Sequence, residues 1–190
     1  MKNKKEKGQY GYRDYHKKMQ IVKVLFGGAM ILVQLLARNF TDNQAAKNVL
    51  TLMAILSVLP TANVASPLLA SWKYKTGSRQ LMEQIAGLEG TGIVLYDLIV
   101  TSKEMIIPLD VVMVHPNVVA AFCPFQKIDK KKAEKYLNET FQDHRLDANV
   151  KIISEEKQFV KRLRDLKPMK EYEDDGSVEY GAGVLKSLSM

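Results

Sequence analysis

One apolar stretch, LDVVMVHPNVVAAFC, carries three side chains equipped for chemistry: Asp110, His115 and Cys123. A cysteine with a histidine supplies a nucleophile and its base, provided that a cation or a helix N-terminus lowers the thiol pKa. Cys123 stands among Ala120, Ala121, Phe122 and Pro124, where a thiol behaves as a small buried hydrophobe. His115 precedes Pro116 and Asn117 and reads as a turn residue. No motif places a third residue to complete a triad. Asp110, taken alone, is an ordinary strand or turn carboxylate. No catalytic residue is therefore assigned, and these three stand as weak candidates.

Other chemistry leaves no trace in the sequence. GxGxxG, Walker A, HExxH and GxSxG are all absent, and Gly87–Gly92 (GLEGTG) fits none of them. The single cysteine forms no intramolecular disulfide, and no CxxC or Cys/His cluster offers zinc its ligands, so no cofactor or metal is expected. That cysteine usage fits a reducing cytosolic face. Lys130–Lys132 form a solvated face, although lysines at a helix start oppose its dipole, a conflict that a surface facing anionic lipid would explain.

The elements that position these residues follow a long apolar segment. Asn48–Trp72, NVLTLMAILSVLPTANVASPLLASW, has no charged residue, and roughly 20 apolar residues suffice to cross a bilayer core. A weaker apolar run, Ile21–Ala37, precedes it, so residues 21–72 read as a transmembrane helical hairpin joined by the polar Arg38–Lys47. No small-x-small cleavage site closes the first run, and it reads as an uncleaved helix rather than a signal peptide. Gly27–Gly28 let a neighbouring helix approach, and Gln34 is a candidate partner for Asn63. Pro60 predicts a kink or break near Leu59–Pro60.

Residues 1–20 read as a flexible basic cytoplasmic tail with seven Lys or Arg. The connecting loop has two basic residues, and the stretch just after the hairpin has three. The positive-inside rule then places both termini in the cytoplasm of a multi-pass cell-membrane protein. The net charge of +7 is explained by orientation and anionic lipid, without nucleic acid as a partner.

Residues 78–168 read as a small cytoplasmic α/β domain, followed by an acidic C-terminal tail over 169–190. The expected order is helix, three-stranded antiparallel meander, helix, strand, helix. Ser78–Leu88 is the first helix, with Leu81, Ile85 and Leu88 on one face. Ile93–Thr101 reads as a strand by its β-branched content, though periodicity alone leaves a helix open. Met105–Val114 follows, with Pro108 marking an edge or a bulge, and then Val118–Cys123. Asp129 caps a helix to about His144, Val150–Ile153 is a short strand, and Ser154 caps the last helix, stopped by Pro168.

That order, together with LDVVMVHPNVVAAFC, resembles the restriction-endonuclease-like core over about Glu83–Leu166, particularly the NERD-type domains of bacterial membrane-attached proteins. The resemblance implies an aspartate on the second strand and an ExK triplet on the third, holding a divalent metal. Asp110 matches the aspartate, and Glu83 or Glu89 matches a helix glutamate. The third strand reads Ala120–Ala121–Phe122–Cys123–Pro124 with no ExK, and Lys127 follows a proline. The resemblance thus implies a scaffold without the metal site. In layout the chain also resembles small bacterial two-helix membrane proteins, which implies no activity.

The sequence leads to a membrane protein whose partner is the lipid bilayer and whose α/β domain is a non-catalytic interaction or scaffold module. A membrane-tethered, metal-dependent nuclease-like enzyme is one alternative. An accessory subunit that meets a membrane protein or a second copy of itself is the other. A piece beginning near Gly77 is expected to fold alone.

Overall fold

The computed structural model describes residues 4–146, 149–173 and 175–190. It divides into two compact units, Asp14–Lys73 and a second made of the chain up to Arg13 with Tyr74–Met190.

The first unit contains two long apolar helices. Helix α1 spans Tyr12–Asn39 and α2 spans Gln44–Ser71, and both are long and apolar enough to cross a membrane. Asn43 caps α2, its side chain accepting from the Ala45 and Ala46 amides. The two helices run antiparallel, as their contacts require. A Cβ on Gly27 would collide with Thr61 Oγ1, and Gln34 exchanges hydrogen bonds with Ser57 at 3.3 Å. Gln34 thus pairs with Ser57 rather than with Asn63. The break expected at Pro60 does not occur, since α2 continues through Pro60 and Pro67. Hydroxyls of Ser57, Thr61 and Ser66 bond back to carbonyls four residues earlier, keeping them satisfied within the helix.

The second unit is an α/β domain with one four-stranded sheet. In chain order it contains α3 (Arg79–Ala86), β1 (Ile93–Thr101), β2 (Ile106–His115), β3 (Val118–Phe122), α4 (Lys130–Asp143), β4 (Asn149–Ile153), α5 (Glu156–Arg164) and α6 (Ser177–Leu188). Strands β1, β2 and β3 form an antiparallel meander, and α4 carries the chain back so that β4 pairs parallel to β3. Ile93–Thr101 is a strand over its whole length. Strand β2 is nearly all buried because helices cover both faces. On one face Leu109, Val112 and Val114 pack with Ala133, Leu137 and Phe141 of α4 and with Ala182 and Leu185 of α6. On the other, Val111 and Met113 pack with Leu81 and Ile85 of α3 and Phe159 and Leu163 of α5. Pro108 lies inside β2, in a stretch paired with β1 but not with β3, so its missing N–H costs no ladder bond.

Three expectations at the ends of the domain are corrected. Residues 4–13 are docked rather than a flexible tail: Gly8 bridges to Tyr96, the Tyr96 amide donates to its carbonyl at 2.8 Å, and α1 already begins at Tyr12. The acidic tail gives way to α6, whose Val178, Ala182 and Leu185 face the core. Ser154 does not cap α5; Glu155 holds the cap position, and the Ser154 hydroxyl is buried without a hydrogen-bond partner among the described residues. The α/β unit therefore includes chain on both sides of 78–168, and a piece starting at Gly77 lacks part of it.

Both sheet edges are covered. The β1 edge meets Gly8 and Ser189. On β4, the Val150 amide donates to Asn138 Oδ1 and the Ile152 amide to Glu134 Oε1, both at 2.7 Å, so α4 side chains satisfy edge donors that would otherwise invite another strand.

Candidate functional site

Asp110 is the sequence candidate around which the structure gathers other charged groups. Alternation along β1 slips by one residue between Leu95 and Leu98, which share a core face, and along β2 between Leu109 and Val112. The extra residues at the slip are Asp97 and Asp110. They face each other, between the pairs Tyr96↔Val111 and Leu98↔Leu109, and Asp97 takes a left-handed φ of 57°. A short acidic side chain tolerates that conformation better than a branched one would.

Two opposed, buried carboxylates repel each other and lose hydration, so they need compensating donors. Arg13, in the first turn of α1, supplies the only positive charge that pairs with them among the described residues. Its Nη1 lies 2.8 Å from Asp110 Oδ1, and both side chains are buried. The same guanidinium donates to the carbonyls of Lys75 at 2.5 Å and of Leu98 and Leu109, each at 3.1 Å. Asp97 accepts from the backbone amides of Gly11 at 2.6 Å and Gly77 at 3.1 Å. Gly11 has φ 80°, which favours glycine, and a Cβ on Gly77 would stand 3.0 Å from the Asp110 Cβ. The segments leading into α1 and away from α2 are thus fastened by one carboxylate pair. Burial raises the Asp110 pKa, Arg13 opposes that shift by its charge and its hydrogen bond, and Asp97 adds to it.

The other candidates lie apart. His115 ends β2, where its Nε2 donates to the Lys167 carbonyl at 3.1 Å while Nδ1 accepts from the Asn117 amide at 3.3 Å. That pattern selects one neutral tautomer, and Tyr172 packs edge-on against the ring at 5.0 Å. His115 is therefore a buried structural residue at a turn. Cys123 follows Phe122, the partner of Val111, so it comes level with Asp110 at the far end of the strand pair. Five residues of strand, roughly 15 Å, separate that level from His115, which rules out the nucleophile–base pair. Burial raises the Cys123 thiol pKa, so the thiol form is retained.

The metal implied by the nuclease resemblance does not fit these residues. The Arg13 guanidinium holds the Asp110 oxygen that a cation would need. The third strand presents Ala120, Ala121 and Phe122, all buried in apolar packing. Among the described residues no three His, Cys, Asp or Glu side chains come together. Glu83 is exposed and paired with Arg79 at 2.9 Å, Lys127 lies in a turn after Pro124, and the Glu89 side chain lies outside the described residues. Lys130–Lys132 are exposed at the start of α4, where Asp129 caps the helix by accepting from the Lys132 amide.

Sequence reasoning missed Arg13, Asp97, Gly11 and Gly77. The legible signal was Asp97 itself, a lone acidic residue inside the apolar run IVLYDLIVT. Comparison with protein-family profiles, curated proteins and solved structures found no match.

Proposed function

We propose that this chain is an integral membrane protein in which α1 and α2 cross the bilayer as a hairpin, with both termini in the cytoplasm. Its α/β unit acts there as a non-catalytic interaction or scaffold module. The observation that carries this reading is the exposure of the apolar helices. Leu25 is 67% exposed, Phe26 70%, Ile55 60%, Leu59 66% and Leu69 72%. A core helix of a soluble protein buries such side chains, and water does not tolerate so extended an apolar surface. A helix of this length spans about 42 Å, enough for a hydrocarbon core of about 30 Å.

The non-catalytic half of the reading is supported by Arg13, whose four hydrogen bonds tie up the Asp110 site. The nuclease-like alternative draws on the Asp97–Asp110 pair, but a cation reaches that pair only if Arg13 leaves. The resemblance to a restriction-endonuclease-like core rests on element order and the Asp110 stretch, and the Arg13 guanidinium engages the carboxylate that such a core would need for its ion. The test is extraction of the native protein from membranes with alkaline carbonate. Retention in the pellet is expected, and release into the supernatant would refute the hairpin.

A further inference from the structure

We infer that α2 is a homodimer contact centred on Asn63, paired with Asn63 of a second copy of this chain near the middle of the bilayer. This inference rests on the membrane hairpin proposed above. The face of α2 that meets α1 carries Ala54, Ser57 and Thr61. Asn63 lies two residues past Thr61, about 200° around the helix, and is exposed on the other side. Its amide has no hydrogen-bond partner among the described residues. Pro67 has no N–H to donate to the Asn63 carbonyl, so the main-chain acceptor of the same residue lacks its ordinary helical donor.

Depth makes these groups consequential. Trp72 marks an interface, and Asn63 lies nine residues inside it, about 14 Å along the helix. Half of a hydrocarbon core of about 30 Å puts the amide close to the midplane, where neither water nor lipid offers a partner. Any protein covering it must present a donor and an acceptor at that depth. A second copy inserted with the same topology does so automatically, because a two-fold axis along the membrane normal sets Asn63 against itself. The carboxamide is both donor and acceptor, which suits such a self-complementary contact. Small residues at four-residue spacing, Ala62, Ser66 and Ala70, border it and let the backbones approach. Ser66 Oγ already donates to the Ala62 carbonyl at 3.0 Å, so it makes no polar demand of its own.

The test is oxidative cross-linking of full-length protein in native membranes, with Ser66→Cys in a Cys123→Ala background. A disulfide-linked homodimer is expected. Its yield should fall about fivefold or more with Asn63→Leu and stay within twofold with Asn63→Gln, while carbonate pellets retain every variant. Equal yield with Asn63→Leu, a purely monomeric membrane-bound protein, or an adduct with a different protein would each overturn the inference while leaving the hairpin standing. Recovery of the unmodified chain in the carbonate supernatant would instead overturn the hairpin, and the inference with it.

Discussion

Replacing Arg13 by methionine keeps much of the side-chain volume and removes the charge on which the carboxylate pair depends. Arg13 and Asp110 are 2% and 8% exposed, so Arg13→Met leaves a buried anion without its cation. Breaking such a pair from one side costs about 3–5 kcal/mol. The Leu98 and Leu109 carbonyls also lose their donor, at about 1–3 kcal/mol for each one left dry. These effects overlap, and a loss of about 4 kcal/mol is a fair expectation, close to a thousandfold in an opening equilibrium. Amide exchange of β1 and β2 in the detergent-solubilised full chain measures it. Protection in both strands should fall by about two to three orders of magnitude. The loss should shrink on acidification, because a protonated Asp110 no longer leaves a charge behind. In the wild type the Asp110 pKa is raised above 3.8, so the native state takes up this proton more readily than the unfolded chain. Its contribution to stability is fully present below pH 3.8 and is lost as pH rises through the folded pKa. Protection unchanged within tenfold in Arg13→Met would refute the assignment of Arg13 as the clasp.

Two further outcomes follow from the same geometry. The Cys123 thiol, buried and with its pKa raised, should resist maleimide at neutral pH in the native protein and react once urea unfolds the α/β unit; prompt native labelling would mean the thiol is reachable. A chain beginning at Gly77 lacks Arg13 and the Gly8 pairing with β1, so it should show no cooperative thermal transition, whereas a sharp transition would show that residues 4–13 are dispensable.

The sheet and its helices were legible because apolar periodicity marks them: Leu81 and Ile85, then Ala133, Leu137 and Phe141, recur at helical spacing and all are buried. The same rule failed where stability comes from polar and backbone contacts. Residues 4–13 bury no apolar stripe; they dock through the Gly8 carbonyl, the Gly11 amide and the Arg13 guanidinium. Helix α6 was hidden by Gly181 and Gly183, each unfavourable for a helix by about 1 kcal/mol relative to alanine. Gly181 is explained by packing, since a Cβ there would sit 3.3 Å from the Phe141 ring. The Asp97–Asp110 pairing depended on a phase slip in two strands at once, which neither strand reveals alone. The apolar helices stood out in the sequence because composition alone marks them.

The most direct test of the central claim is the sidedness of two exposed positions. In a Cys123→Ala background, Asp42→Cys probes the short loop between α1 and α2, and Glu173→Cys probes the α/β unit; both native side chains are exposed. An impermeant thiol reagent applied to intact cells should label Asp42→Cys and should leave Glu173→Cys unlabelled until the membrane is opened. Labelling of Glu173→Cys in intact cells, with Asp42→Cys protected, would contradict the orientation, and protection of both until lysis would contradict a membrane-crossing hairpin.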